Sequence, residues 1–412
     1  MKTFLKFLSI KSLFIIAFLI FIIIMNGKAY SVQDTVTIKA IQDNTLYEDA
    51  GGLISNGQGK YMFAGKNNSG LIRRAILRFL LVEFMPPCSR VLNVSLKMHV
   101  SGGDPANRNI QLRKIQENWS EGNSDAPGLE ENGTAASGFD ATWIHRYFNT
   151  DYWSSSGGTF STTSRGSNIV GGPGYYTWSS TPEMVYDAQE WLNDNSKSFG
   201  WMLLGDESAS SNVKRFHTTE TDTVEFIPEL TIIYETSVFE LYMESLIEGF
   251  WDGTEMVEDT VTVKLHNSVS PYNIVDSSSS IVGTYGGSFC FFNAPPGDYY
   301  ISVHHRNTIE TWSSLPLTFN LNGFEYYNFK DAVSKAYGNN QVLKLTKYCF
   351  YGGDVDQNGL VDATDLLSIF NDANSFVTGY VTTDVTGDNL VDVTDVLIAF
   401  NNANKFVSVI HP

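Results

Sequence analysis

The chain has 412 residues, of which 42% are hydrophobic and 17% are charged. This composition excludes a disordered chain, because the apolar residues are numerous enough to form a core. The net charge of −18 at pH 7 excludes a nucleic-acid partner, since 27 basic residues cannot form a dominant cationic surface against 45 acidic ones.

Residues 1–29 have the pattern of a secretory signal peptide. Lys2, Lys6 and Lys11 give a positively charged start, and residues 13–25 are wholly apolar. Gly27 and Ala29 then supply the small residues of a cleavage site. The apolar run is too short to span a bilayer comfortably. We therefore expect an extracellular protein, secreted or attached to the cell surface, with no membrane span after cleavage; an uncleaved anchor is the alternative.

Residues 33–235 are predicted to form a first β domain. Short apolar runs broken by Gly, Asn, Ser and Pro predict strands at 35–40, 75–81, 91–100, 109–116 and 230–234. One helix is predicted at 182–192, because Thr181 can cap it and Pro182 suits its first turn. The Gly/Ser-rich stretches 120–140 and 154–174 are predicted to be surface loops.

Residues 237–347 are predicted to form a second, smaller β-sandwich. Val261, Val263 and Leu265 alternate with polar residues, and a Pro-Gly-Asp turn at 296–298 precedes another apolar run. Cys290 and Cys349 fall in or beside this region and are the candidate disulfide pair. The alternative is that these two and Cys88 are all buried thiols.

Residues 350–412 contain an internal repeat. Residues 354–377 and 384–407 are identical at 14 of 24 aligned positions, in a single register without gaps. Such a match indicates a duplicated structural unit. The segment also contains nine Asp and one Lys, so its charges would repel one another without a counterion.

Both repeats carry oxygen-bearing residues at positions 1, 3, 5, 7, 9 and 12 of an EF-hand-type loop. In the first repeat these are Asp354, Asp356, Asn358, the carbonyl of Leu360, Asp362 and Asp365. In the second they are Asp384, Thr386, Asp388, the carbonyl of Leu390, Asp392 and Asp395. Because Ca²⁺ takes six to eight hard oxygen ligands, the spacing predicts two Ca²⁺ ions, one in each loop.

Two positions distinguish the loops. Gly359 at position 6 permits a tight turn, and Asn389 replaces it in the second loop, where asparagine tolerates the left-handed region. Thr386 offers a neutral hydroxyl where a carboxylate or amide is usual. We therefore expect lower affinity in the second loop.

The duplicated loop, each copy followed by one apolar helix, resembles the type I dockerin family, and the resemblance covers residues 350–412. It implies a small α-helical tail that folds around two Ca²⁺ ions and binds a cohesin-type protein. The family's partner-reading pair, at loop positions 10 and 11, corresponds here to Ala363-Thr364 and Val393-Thr394.

Several phrases in residues 33–235 carry a second resemblance. They are Arg74-Ala75-Ile76-Leu77-Arg78-Phe79, Trp119-Ser120-Glu121-Gly122, Gly200-Trp201-Met202-Leu203-Leu204-Gly205-Asp206-Glu207 and Lys214-Arg215-Phe216. In order and spacing they resemble the DNRLRE domain family, which overlaps a class of carbohydrate-binding modules. The resemblance implies a jelly-roll or β-sandwich domain and a polysaccharide partner.

Six side chains in this region are candidates for sugar binding. Trp119, Trp143, Tyr152 and Trp153 lie in or beside the loop-rich segments, where aromatic faces could stack on pyranose rings. Arg73 and Arg108 could pair with a uronate carboxylate. The alternative is that these residues pack loops or core.

Catalytic motifs are not evident: the sequence has no His-Glu-x-x-His, Gly-x-Ser-x-Gly or phosphate-binding glycine loop. We therefore interpret the chain as a non-catalytic carbohydrate-binding or surface-attachment protein with a calcium-dependent docking module. Two alternatives stay open. One is a glycoside hydrolase or lyase with its active site in 33–235; the other is a structural or adhesive surface protein without a glycan ligand.

Overall fold

The computed structural model describes residues 32–412 and confirms a mainly β protein, with 42% strand and 12% helix. The chain divides into two compact units, Gln33–Thr236 and Ser237–Pro412. The predicted domains 237–347 and 350–412 lie together in the second unit. The predicted signal peptide lies outside the described residues. Within 32–412, no helix is both long and apolar enough to cross a bilayer.

The first unit consists of fifteen strands and one α-helix. They are β1 (Gln33–Lys39), β2 (Gln42–Tyr47), β3 (Ile54–Ser55), β4 (Tyr61–Lys66), β5 (Ile72–Arg78), β6 (Ser89–Gly103), β7 (Arg108–Ile115), β8 (Thr134–Ala135), β9 (His145–Tyr147), β10 (Asp151–Tyr152), β11 (Phe160–Val170), β12 (Gly174–Trp178), α1 (Pro182–Asn193), β13 (Trp201–Leu204), β14 (Lys214–His217) and β15 (Glu229–Thr236). The strands predicted from apolar runs correspond to β1, β5, β6, β7 and β15.

The first unit is organised around one curled sheet. Its strand order is β1-β15-β6-β14-β4-β5-β13-β7-β11, with β12 added to β6 and β2 to β5. The sheet bends at β4, which pairs with β14 through residues 61–64 and with β5 through 65–66. Gly65 lies at this corner with φ 127°, and a Cβ there would come within 2.7 Å of the Asn212 side chain. Only glycine suits both the positive φ and the close approach of the Asn212 side chain.

Helix α1 closes the apolar core of the first unit. The Thr181 hydroxyl accepts a hydrogen bond from Met184 N–H at 3.1 Å, which confirms the predicted N-cap. Met184, Ala188 and Trp191 face the core, which also contains Trp178 and Trp201. The helix also buries Asp187, which apolar periodicity does not predict.

The prediction of a surface loop over 154–174 is wrong for residues 160–170, which form β11. This strand lies at the edge of the sheet, paired only with β7 in the main strand order, and most of its side chains are partly or fully exposed. Its sequence, FSTTSRGSNIV, is therefore polar and lacks the apolar alternation of a half-buried strand.

The second unit contains two main sheets, a short hairpin and two α-helices. The elements are β16 (Phe239–Glu244), β17 (Asp259–Asn267), β18 (Ile274–Val282), β19 (Gly287–Phe291), β20 (Gly297–His304), β21 (Thr311–Trp312), β22 (Leu317–Phe319), β23 (Gly323–Asn328), β24 (Val342–Lys344), β25 (Lys347–Cys349), α2 (Ala363–Asn374) and α3 (Val393–Ala403). One sheet has the order β19-β16-β23; the other is β18-β17-β20-β21, with β22 also on β20.

A single apolar cluster joins these two sheets. Phe239 and Leu241 of β16, Phe291 of β19, Val263 of β17 and Ile301 of β20 are all buried in it. Cys349 is buried with a free thiol, so the candidate Cys290–Cys349 disulfide is not formed. Burial raises the pKa of this thiol to about 12, which makes it unreactive.

The buried Asp187 generates the first testable prediction. Its Oδ2 accepts hydrogen bonds from Trp201 Nε1–H at 2.9 Å and Arg165 Nε–H at 2.8 Å, and Lys114 Nζ lies 3.5 Å from Oδ1. Asp187→Ala would leave these donors buried without a carboxylate. We expect the free energy of unfolding to fall by about 3–5 kcal/mol, measured by urea denaturation.

Two variants control this measurement. Asp187→Asn keeps an acceptor oxygen and should cost less than Asp187→Ala, while Glu225→Ala on the surface should change stability by less than about 0.5 kcal/mol. Equal midpoints for Asp187→Ala and Glu225→Ala would contradict the structural role given to Asp187.

Candidate metal centre

The two repeats of the C-terminal segment are paired through their loops. Each loop hydrogen-bonds to the segment that follows the helix of the other repeat. The bonds are Val361 N–H to Val407 O (2.9 Å), Val409 N–H to Gly359 O (2.8 Å), Val391 N–H to Val377 O (2.9 Å) and Gly379 N–H to Asn389 O (2.9 Å). Beneath them Val355, Val385, Ile369 of α2 and Ala399 of α3 form one apolar cluster.

Three carboxylates converge in the first loop. One oxygen each of Asp354, Asp356 and Asp365 lies within 4.8 Å of those of the other two. Asp354 and Asp365 are buried, whereas Asp356 is exposed, so the cluster opens to solvent on one side. Burial and the nearby negative charges of Asp365 and Asp356 raise the pKa of Asp354 to about 6. Like charges held this close disfavour ionisation of all three carboxyl groups when no cation is bound.

Backbone hydrogen bonds hold these carboxylates in place. Asp365 accepts from Val355 N–H at 2.8 Å through Oδ1 and from Asp362 N–H at 3.0 Å through Oδ2. Asp354 accepts from Asn358 N–H at 3.1 Å and Gly359 N–H at 3.2 Å. The last loop position therefore ties the start of the loop to the first turn of α2.

The remaining predicted ligands of the first loop have other partners. Asp362 is the N-cap of α2, accepting from Thr364 N–H at 2.7 Å, and forms a capping box with Asp365. Asn358 accepts from Leu360 N–H at 2.9 Å and lies in the exposed part of the loop. Neither belongs to the converging triad, and their part in metal binding stays a prediction.

Both loops use left-handed backbone at positions 4 and 6. Position 6 is Gly359 with φ 85° and Asn389 with φ 67°, as the sequence predicts. Position 4 is Gln357 with φ 56° and Gly387 with φ 77°. The sequence analysis missed this second turn, although a glycine exchanged between positions 4 and 6 is visible in the aligned repeats. Each loop thus has glycine at only one of its two left-handed positions.

The second loop repeats the pattern with fewer converging charges. Asp395 accepts from Val385 N–H at 2.7 Å and Asp392 N–H at 2.8 Å, as Asp365 does in the first loop. The Thr386 hydroxyl donates to Asp395 at 3.0 Å. Asp392 caps α3, and Asp388 is exposed.

A basic side chain also reaches the second loop. Arg306 Nη2 lies 3.6 Å from the Asp384 carboxylate, and its Nη1–H donates to the Val381 carbonyl. Arg306 also pairs with Asp259 at 2.8 Å. Asp384 is therefore partly neutralised by protein, whereas no basic side chain of the described residues forms an ion pair with Asp354.

The C-terminal segment packs against the β-sheets of the same unit. Asn402 of α3 is fully buried and donates from Nδ2 to the Glu248 carboxylate at 2.6 Å and to the Gly352 carbonyl at 2.9 Å. Asn307 donates to the Asp384 carbonyl at 2.7 Å. The Tyr380 hydroxyl donates to Asp259 at 2.6 Å. The C-terminal segment is thus anchored to the β region just before and at the start of the second loop and again at the end of α3.

Two of the candidate sugar-binding aromatics lie in the core of the first unit. Trp119 and Trp153 are 1% and 5% exposed, and both indole N–H groups donate to backbone carbonyls, of Phe199 and Thr142 respectively. Arg73 is also buried, with its guanidinium 4.8 Å from the Tyr47 ring centroid. None of the three presents a stacking or pairing surface to a polysaccharide in this arrangement, because their faces are already packed.

The other candidates are more accessible. Tyr152 is 64% exposed, and Trp143 is half-buried beneath the Arg74 guanidinium, 5.0 Å from its ring centroid. Arg108 is partly exposed but pairs with Asp104 at 2.7 Å. Their binding role stays a prediction.

A groove that the sequence analysis did not identify lies on the first unit. Its volume is about 490 Å³, and its lining includes Lys66, Asn67, Asp104, Glu131 and Arg215. These residues come from segments far apart in the chain, so their proximity leaves no local sequence signal.

Asn402 provides a test of how the C-terminal segment is anchored. Asn402→Ala removes one donor to the partly buried Glu248 carboxylate and leaves the Gly352 carbonyl without its side-chain partner, so we expect a loss of about 1–3 kcal/mol in the stability of the second unit. Asn401→Ala, one residue earlier and exposed, should be close to neutral. Thermal melting of both variants is the measurement, and equal melting temperatures would contradict the anchoring role.

No family model and no curated protein matches the chain. Among solved structures, it is similar to C-terminal and N-terminal interface mutants of a type II Cohesin-X-Dockerin complex from Acetivibrio cellulolyticus. Each match is 12% identical and covers 40% of this chain and 93% of the matched chain, with TM-scores of 0.25 and 0.24. Scores this low do not establish a shared fold.

Proposed function

We propose that the chain is a secreted, non-catalytic protein that attaches to carbohydrate through its first unit and is held by a calcium-loaded, dockerin-like segment at residues 350–412. The observation that carries the proposal is the convergence of Asp354, Asp356 and Asp365 in a loop whose sequence pattern recurs at 384–395. The first unit is, in this proposal, a carbohydrate-binding β-sandwich of jelly-roll type.

The donor set of the first loop suits Ca²⁺. Calcium accepts oxygen ligands at about 2.3–2.6 Å in flexible geometry, so two ligands on opposite sides of the ion lie up to ~5 Å apart. The three carboxylate oxygens, within 4.8 Å of one another, fit this range. Bound Ca²⁺ would neutralise the repelling charges and fix the start of the loop against α2. Asn358, Asp362 and the Leu360 carbonyl are candidates to complete the shell.

The second loop is proposed to bind a second Ca²⁺ more weakly. Thr386 contributes no charge, and Arg306 competes for Asp384 at 3.6 Å. Displacing a paired arginine from a buried carboxylate costs free energy that the first loop does not lose. The two sites should therefore differ in affinity in the order that the sequence also predicts.

The exposed side chains of α2 and α3 support a protein partner. Leu367 and Phe370 of α2 are 59% and 49% exposed, and the equivalent Leu397 and Phe400 of α3 are 55% and 49% exposed. Both pairs have the spacing of one helix face. Large apolar residues left in solvent at matching positions of a duplicated unit favour docking, and a cohesin-type protein is the proposed partner.

Fewer residues support carbohydrate binding than support calcium binding. Tyr152 offers an exposed aromatic face, and Lys66 and Arg215 in the groove could pair with an acidic sugar. We therefore propose that an acidic polysaccharide binds more tightly than a neutral one.

Calcium removal tests the metal centre. With micromolar affinity and millimolar free Ca²⁺, binding should stabilise the second unit by about 4 kcal/mol per site. Chelation with EDTA should lower its melting temperature in scanning calorimetry. Asp365→Asn should remove most of the response from the first loop, because Asp365 is both a carboxylate of the triad and the closing residue of the loop.

The matched control is Asp298→Asn, which removes the same charge from an exposed position of the same unit. It should retain the full calcium response. Identical melting curves with and without EDTA for the native chain would sink the calcium assignment.

Affinity electrophoresis of the full chain tests carbohydrate binding. Acidic polysaccharides should retard the protein without releasing new reducing or unsaturated ends. Tyr152→Ala should weaken retardation about 5-fold or more, through loss of roughly 1 kcal/mol of stacking. Tyr186→Ala is the control, because Tyr186 is equally exposed, at 65%, on α1.

The same assay separates the alternatives. Cleavage products would make the chain a polysaccharide-degrading enzyme. Absence of retardation on every polysaccharide would instead favour a structural or adhesive role without a glycan ligand.

A further inference from the structure

A second group of three carboxylates, from distant parts of the chain, meets within the first unit. Asp43 lies in β2, Glu121 follows Trp119, and Glu220 follows β14. One oxygen of each lies within 4.8 Å of those of the other two, the same limit that the first calcium loop meets.

Two oxygens of this cluster are buried without a hydrogen-bond donor. Asp43 is 0% exposed, and its Oδ1 has no partner within residues 32–412, although its Oδ2 accepts from Thr219 N–H at 2.8 Å and from the Thr219 hydroxyl at 3.0 Å. Glu220 Oε2 is likewise buried and unpartnered in the described part of the chain. Buried carboxylate oxygens are normally satisfied, so each of these two atoms points to a ligand.

The nearby Asp140 shows how a buried carboxylate is stabilised in this unit without an ion. Asp140 is also 0% exposed, and it accepts backbone N–H donors of Asn123 at 2.7 Å, Ser124 at 3.2 Å and Ser137 at 2.7 Å. Its charge is thus stabilised by oriented peptide groups. Asp43 Oδ1 and Glu220 Oε2 have no equivalent donors among the described residues.

The charges of the cluster are not balanced by protein. Within residues 32–412, no ion pair joins Asp43, Glu121 or Glu220 to a basic side chain. Glu220 and Glu121 add negative charge around Asp43, and Glu130 adds to the field at Glu220. Burial and these like charges raise the pKa of Asp43, and burial raises the pKa of Glu121 to about 7. Three ionised carboxylates this close together are unfavourable unless a cation binds between them.

We propose that Asp43, Glu121 and Glu220 bind a divalent cation, Ca²⁺, at a site separate from the two C-terminal loops. Carboxylate oxygens are hard ligands. Three carboxylates from separate segments of the chain suit the variable coordination geometry of Ca²⁺ better than the strict octahedral geometry of Mg²⁺. The Thr219 hydroxyl, next to both Asp43 and Glu220, is within reach of the same ion's shell.

The ion would join three segments of the first unit. The Asp43 N–H already donates to Glu121 at 2.7 Å, and Asn44 Nδ2 donates to the Glu121 carbonyl at 2.7 Å and to the Ser55 hydroxyl at 3.0 Å. A cation would add Glu220 to this network. It would thereby fix the loop that follows Trp119.

Counting bound Ca²⁺ in the full chain tests this site. In equilibrium dialysis against CaCl₂, Glu220→Gln should bind one ion per chain fewer than the native protein. Glu225→Gln removes the same charge from an exposed position of the same unit and should bind as many ions as the native protein. Glu121→Gln serves as the second variant, should Glu220→Gln fail to fold.

Hydrogen exchange shows which segments of the chain Ca²⁺ stabilises. Addition of CaCl₂ should slow exchange about 10-fold or more in peptides covering 42–47, 117–124 and 217–222 of the native chain, and not in Glu220→Gln. Peptides covering 354–365 should respond in both proteins, which separates this site from the C-terminal loops. MgCl₂ at the same concentration should give a smaller response.

Three results would overturn the proposal. They are an unchanged ion count in both variants, absence of calcium-dependent protection in the three peptides, and a stronger response to MgCl₂ than to CaCl₂. In EDTA, Glu220→Gln should melt no lower than the native chain, because removal of one carboxylate relieves repulsion; a lower melting temperature would assign Glu220 a purely structural role instead.

Discussion

Repulsion between buried carboxylates is the constraint on which the C-terminal segment depends. Asp354 and Asp365 are both buried, and their oxygens lie within 4.8 Å of one another and of an Asp356 oxygen. Backbone N–H groups of the loop orient these carboxylates, but they do not cancel the charge. The loop therefore has a defined shape that concentrates negative charge, and the helix that follows begins where the last of these carboxylates is held.

Elsewhere in the chain, the charge of a buried carboxylate is stabilised by groups of the protein itself. Asp187 is paired with Arg165 and Lys114, Asp259 is paired with Arg306 and hydrogen-bonded to His305, and Asp140 is stabilised by peptide N–H groups. Each of these acids has a fixed partner within the protein. Asp354 and Asp356 have no such basic partner within residues 32–412, which agrees with the role proposed for them as ligands of an ion.

Local patterns in the sequence were sufficient for features that a short segment determines by itself. The repeats, the left-handed Asn389, the Thr181 cap and the apolar strands all depend on short-range spacing along the chain. Features that depend on distant segments were not predictable. Burial of Trp119 and Trp153 is fixed by what packs over them, and Asp43 and Glu121 meet although they are 78 positions apart in the chain. The edge strand β11 was missed because exposure on both faces removes the apolar alternation.

The reciprocal pairing of the two repeats has a consequence for how they respond to an ion. Residues 359–361 pair with 407–409, and 389–391 pair with 377–379, so neither loop completes its own backbone contacts. Ordering one loop also orders the segment leaving the other repeat's helix. If both loops bind Ca²⁺ as proposed, their occupancies would be thermodynamically linked, and each ion would change the affinity for the other by the same factor. Duplication has in this way made the backbone contacts of each loop depend on the presence of the other repeat.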